Sequence, residues 1–226
     1  MMAHRDRRGY HVEMAPHESP RLLVGARDYR HASWRPGFYP RDLPPEWRFV
    51  FYSHRAPAIL MPMRAPAFGG EDLVLWEQEA PPEFRIVLEV SGANLDRVLS
   101  VGPVPQPLIA GCVVRAPRLT RAHIGSLAAL TQTLPVAVDL RVHTPASIGE
   151  LSALGIGVCG RPAEGLVPIG PFVVSLMGAA DRRLLGRAVQ ELLRVPAPRG
   201  SALFFHEPRT AMKWVEEAQL LAGMLA

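Results

Sequence analysis

The sequence predicts an α/β protein folded as a small TIM-like (β/α) barrel in a single domain. Three observations carry that prediction. Short apolar runs recur eight times along the chain. Several are near-continuous in Val, Ile and Leu, the pattern of strands covered on both faces. Stretches able to form amphipathic helices lie between them, as in parallel βα units. An open doubly wound sheet is the other arrangement this alternation allows. No run is followed by G-x-G-x-x-G, however, and no Walker loop appears. The chain has 226 residues, somewhat short of the ~250 typical of such barrels.

The elements follow in order. Residues 1–20 are polar, dotted with histidine and closed by Pro20, which predicts a flexible tail ahead of a barrel domain at 21–226. The runs are RLLVGA (21–26), AILMPM (58–63), RIVLEV (85–90), LIAGCVVR (108–115), PVAVDLR (135–141), GIGVCG (155–160), PFVVSLMG (171–178) and ALFFHE (202–207). After the first, LPPEWRFVFYSHR spaces Trp47, Val50 and Phe51 as one helical face. RLTRAHIGSLAALTQTL places Leu119, Ile124, Leu127 and Leu130 together behind Thr120, an N-cap candidate. DRRLLGRAVQELLRV aligns Leu185, Val189 and Leu192 behind Asp181, a second cap candidate. The last helix follows Pro208, read here as lying in its first turn. The second, third and sixth connections carry weaker signals and read as turns.

Composition narrows the setting. The formal charge is +4, and every basic residue except Lys213 is arginine. Residues 21–64 hold eight arginines against Asp28, Asp42 and Glu46. Such an excess is either a solvated face or a surface for phosphate or carboxylate, which arginine binds bidentately. Cys112 and Cys159 sit in apolar runs and read as buried, reduced thiols. Neither has zinc-ligand spacing. No signal-peptide core and no apolar run of bilayer length is present. The expectation is a soluble, cytoplasmic protein that does not bind membranes.

The segment GARDYRHASWRPGFYPRDLPPEW, residues 25–47, resembles the start of the YecE-like family, also called domain of unknown function 72 (DUF72). There, a first strand ends in Gly-Thr-Ser-Gly-aromatic, followed by a tryptophan and then Phe-Tyr-Pro. Gly25, Tyr29, Trp34, Phe38, Tyr39 and Pro40 match, and Leu43, Pro44 and Trp47 extend the match. VAVDLRVHTP resembles the family strand that carries an acidic residue and an arginine two apart, here Asp139 and Arg141. ALFFHEP and the helix after it resemble its closing unit. The resemblance implies a TIM-like barrel, not a particular reaction. This chain departs from the pattern where Arg27 and Asp28 replace Ser and Gly. It also lacks the family's Glu-x-Asn segment after the second strand and looks shorter than most relatives. A divergent member, degenerate in catalysis, is the expectation.

In a (β/α) barrel, ligands bind where the strands' carboxyl ends and βα loops gather. That rule selects Arg27, Tyr29, His31 and Trp34 after the first strand, Glu89 and Ser91 on the third, and Arg115 on the fourth. It adds Asp139, Arg141 and His143 on the fifth, and His206 and Glu207 on the last. Strand alternation puts Ala137, Asp139 and Arg141 on one face and Val136, Val138 and Leu140 on the other. The apolar set must meet helices, so Asp139 and Arg141 should point inward. Asp139 then needs a cation, Arg141 or Arg115, either as a structural ion pair or to aim an arginine at an anionic ligand.

The expected ligand-binding set is therefore Arg27, Tyr29, His31, Trp34, Arg115 and Arg141. Its partner would be an anionic small molecule or a nucleic-acid fragment stacked on the aromatics of the first loop. The alternative is a metal-assisted phosphodiester hydrolase with Asp139 and His206 as acid–base or metal groups. His31, His143 and His206 lack metal-ligand spacing, so no metal and no cofactor is predicted. No G-x-S-x-G elbow exists.

Overall fold

The computed structural model describes residues 22–35, 37–63, 70–95, 108–116, 118–140, 145–178 and 180–225. The proposed tail at 1–20, Arg141 and His143 lie outside the described residues. All eight apolar runs form strands: β1 (Leu23–Arg27), β2 (Ala58–Pro62), β3 (Arg85–Ser91), β4 (Ile109–Arg115), β5 (Val136–Asp139), β6 (Gly157–Val158), β7 (Val173–Met177) and β8 (Ser201–Phe205). The described helices are α1 (Arg48–Ser53), α2 (Gly70–Glu79), α3 (Arg121–Leu130), α4 (Pro145–Ala153), α5 (Arg182–Arg194) and α6 (Ala211–Leu225).

The sheet runs β6-β5-β4-β3-β2-β1-β8-β7 and its ladders are parallel. The first and last strands are neighbours: Gly25 stands opposite Ala58 on one side and Phe204 on the other. A doubly wound sheet would not bring them together. The remaining seam, between β6 and β7, closes just beyond β6. There the Gly160 N–H donates to the Val174 carbonyl at 2.8 Å, and the Leu176 N–H donates to the Gly160 carbonyl at 3.0 Å. The result is a nearly closed eight-stranded TIM-like barrel in one domain.

Period-2 alternation sorts the apolar side chains into two cores. Leu60, Val87, Val113, Ala137, Cys159, Val174, Leu176 and Phe204 fill the lumen, with Phe172 packed among them. Ile59, Ile86, Leu88, Val114, Val136, Val138, Leu203 and Phe205 face the helices. Gly111 makes room for Phe172: a Cβ there would stand 2.8 Å from its ring. Both cysteines are free and buried, Cys159 in the lumen and Cys112 in the outer layer.

The caps behave as the sequence suggests. The Thr120 side chain accepts from the His123 N–H at 3.2 Å, and the Asp181 carboxylate accepts from the Leu184 N–H at 2.8 Å. Leu127 and Leu130 on α3, and Leu185, Val189 and Leu192 on α5, are buried.

Three local expectations differ. The face of α1 is rotated: Phe49 and Tyr52 are buried, whereas Trp47 is 59% exposed. The cause is that Pro45–Trp47 winds as a 3-10 turn, whose tighter period shifts the phase of the helix behind it. The connection after β2, read as a turn, contains the ten-residue helix α2, which buries Trp76. The last helix begins at Ala211, and Pro208 lies in the turn before it. The sixth connection does hold only a short 3-10 turn, Pro162–Glu164.

Candidate anion site at the barrel mouth

The loop after β1 divides the predicted aromatics from the predicted charges. Trp34 is 3% exposed and its indole stacks on Tyr52, with ring centroids 5.9 Å apart and planes 10° apart. Its Nε1–H donates to the Pro208 carbonyl, tying this loop to the approach of the last helix. Tyr29 is buried edge-on against Phe49, and its carbonyl accepts from the Tyr39 hydroxyl at 2.6 Å. Their rings are therefore engaged by protein, and a ligand base has no open face of Trp34 to stack on. Arg27 and His31 remain at the rim, joined by a 2.7 Å contact between His31 Nε2 and the Arg27 carbonyl.

Asp28 sits between these groups at φ +65°. Glycine is the residue that takes this left-handed region without strain. Aspartate tolerates it by bonding its own backbone. Its Oδ1 accepts from the N–H groups of Tyr29 and Arg30 and from Arg30 Nε, at 2.8, 3.1 and 2.9 Å. Burial acts to raise the Asp28 pKa, but the Arg30 bonds and charge outweigh it and hold the carboxyl below its usual range.

Above the luminal core, the same inward register delivers charge. Arg27 ends β1, Glu89 follows Val87 on β3, Arg115 follows Val113 on β4, and Asp139 follows Ala137 on β5. Arg161 comes two residues after luminal Cys159, and His206 two after luminal Phe204.

These residues form one ionic chain around the mouth. Arg27 Nε donates to Glu89 Oε2 at 2.6 Å. Arg115 Nε lies 2.7 Å from Glu89 Oε1 and 3.3 Å from Asp139 Oδ2. Arg161 donates to Asp139 Oδ1 from Nη2 at 2.7 Å and from Nε at 3.0 Å. Its Nη1 reaches Glu164 at 3.2 Å. The carboxylates lie deep, with side chains 4% and 3% exposed for Glu89 and Asp139. The guanidiniums are shallower, at 25% for Arg27, 40% for Arg115 and 27% for Arg161.

His206 stands beside this chain. Its N–H donates to the Met177 carbonyl, and its ring leans over Gly178, where a Cβ would lie 3.1 Å from Nε2. Although the ring is exposed, partial enclosure and then the Arg115, Arg27 and Arg161 charges lower its pKa, with Asp139 opposing. The same charges bear on the thiol below: burial, then Asp139, pushes Cys159 well above its ordinary range.

The structure thus brings together Arg27, Arg115, Asp139 and His206 of the predicted set. His31 lies beside them, Tyr29 and Trp34 lie in the core, and Arg141 is outside the described residues. Asp139 does pair with Arg115, but its closer partner is Arg161, which the sequence reading did not single out. The signal was present: Arg161 has the parity of Cys159. It was hidden because β6 is only two residues long and Arg161 falls beyond it. Among the described residues no group of three or more His, Cys, Asp or Glu side chains is placed to hold a metal ion. Among them, too, no helix is long and apolar enough to cross a membrane.

Fold and site together define a class: a parallel (β/α) barrel whose carboxyl-end mouth is lined by alternating arginines and carboxylates. Two solved structures share the fold. One is a DUF72 family protein from Thermotoga maritima, with TM-score 0.68 and 11% identity, covering 90% of this chain and 98% of that one. The other is a DUF72 family protein from Enterococcus faecalis, with TM-score 0.60 and 11% identity, covering 92% of this chain and 98% of that one. No family model and no curated protein matches the sequence. The structural neighbours are consistent with the YecE-like resemblance of the first loop, and the low identity fits a divergent member.

Proposed function

We propose that the barrel mouth binds a small anionic molecule carrying phosphate or carboxylate, a nucleotide-sized fragment included. One observation carries this reading. Arg27 and Arg115 meet their carboxylates through Nε, and their Nη groups form no hydrogen bond with another described residue. Guanidiniums pinned from behind, with their outer edges unspent among the described residues, are pre-organised for an anion. Glu89 and Asp139 are both committed to arginine, which favours binding over hydrolysis.

The test is titration calorimetry at low ionic strength with inorganic phosphate, citrate and a mononucleotide. At least one should bind, and Arg115→Ala should weaken it about tenfold, the effect of one charge-assisted contact. Absence of binding by all three, or unchanged affinity in the variant, would overturn the reading.

A further inference from the structure

The placement of His206 says more about the anion. Three guanidiniums and two buried carboxylates leave the chain one net positive charge, Glu164 lying outward at 56% exposure. A protonated His206 would make it two. The ring has room to sit there because residue 178 is glycine. β1 pairs β8 with Ala26 opposite Phe205, so Arg27 and His206 leave adjacent strands at the same level. The charges of Arg115 on β4, Asp139 on β5 and Arg161 beyond β6 also bear on the ring. On the β7 side its ring lies over Gly178 and its backbone N–H donates to the Met177 carbonyl, and Glu207 is its neighbour in the chain.

Resting on the anion-site reading above, we propose that the preferred ligand is a doubly charged tetrahedral oxyanion, such as a phosphoryl group, and that its binding is coupled to uptake of one proton by His206. In the free protein the guanidiniums repel an imidazolium. A dianion between them cancels that repulsion and offers an oxygen to a ring N–H. The proton comes from solvent, goes to the imidazole and leaves when the anion leaves. No covalent bond changes. Linkage is reciprocal, so acid must tighten anion binding by the factor by which the anion favours protonation. A carboxylate holds its lone pairs in one plane and faces one guanidinium edge squarely, whereas a tetrahedral group presents oxygens in different directions, to both edges and to the ring.

Sulfate is a suitable probe, because it is a dianion throughout the neutral range and brings no titration of its own. Its affinity is measured by calorimetry from about pH 8 to about pH 5.5, the range in which histidine gains charge, in buffers of different ionisation heat. Wild-type protein should bind sulfate about tenfold tighter at the acid end, with net proton uptake. His206→Gln, checked for folding by circular dichroism, should bind with a flat pH profile and no uptake. Sulfate binding that is flat with pH in the wild type would overturn the coupling and leave the anion site standing. A pH dependence that survives in His206→Gln would overturn the assignment to His206. No sulfate binding at any pH, with citrate still bound, would overturn the ligand class. Failure of every anion would remove the underlying reading as well.

Discussion

Arg115 Nε stands 2.7 Å from Glu89 Oε1, yet neither atom makes an aligned hydrogen bond. It is held by charge alone, between Glu89 on its own strand's neighbour and Asp139 on the other side. Carboxylates on both neighbouring strands therefore bracket one cation above the close-packed lumen.

Glu89→Gln tests stability and binding together. It removes the carboxylate shared by Arg27 and Arg115. Breaking a fully buried pair costs about 3–5 kcal/mol, but these arginines are partly solvated, so a loss of about 1–3 kcal/mol is expected. Sulfate should bind more weakly, because both guanidiniums lose the group that holds them from behind. Urea unfolding and sulfate calorimetry on one variant check both halves. Tighter binding would show that net charge, and not the positioning of the arginines, governs the site.

Trp34→Ala should destabilise the fold by about 3–5 kcal/mol, the usual cost of emptying a buried aromatic site. Trp34→Phe keeps a ring against Tyr52 but loses the bond to Pro208 and part of the packed volume, so an intermediate loss of about 1–3 kcal/mol is expected. Thermal melts of the two variants give the ranking. A neutral Trp34→Ala would show that the loop is not anchored as described.

Asp28 provides a backbone test and a pH test. Asp28→Ala must place a Cβ-bearing residue at positive φ without the compensating bonds, and should be about 1 kcal/mol less stable than Asp28→Gly. The folded-state pKa of Asp28 is lowered, so its contribution to stability is full above the ordinary carboxylate range and is lost as pH falls from that range through the lower folded value. Asp28→Asn should therefore flatten the acid limb of stability. Urea midpoints between about pH 6 and about pH 2 check the slope.

The thiols should be inert. Burial pushes Cys112 up to about 12 and Cys159 well above its ordinary value. Thiolate is the reactive form, so a disulfide reagent at mildly alkaline pH should label neither cysteine in the native protein. In denaturant it should label both. Fast labelling of native Cys159 would show that the lumen opens to solvent.

Much of the architecture is legible one residue at a time. Short apolar runs bounded by Gly and Pro mark all eight strands in the sequence, several of them near-continuous in Val, Ile and Leu as doubly covered strands are, and the caps Thr120 and Asp181 are visible too. The inward aim of Asp139 follows from the parity of Ala137 and Val138. These features are local, set by dihedral preference and by a side-chain period of two. Sequence alone also placed Arg27, Arg115 and His206 at strand ends.

Tertiary structure decided the rest. Whether β1 meets β8, and so closes a ring, depends on pairing between residues about 180 positions apart. The 3-10 turn that rotates α1, the burial of Tyr29 and Trp34, and the choice of Arg161 over the other arginines for Asp139 are equally non-local. Charges and aromatic rings take whichever partner packing brings within reach, and a linear order of residues does not contain that distance.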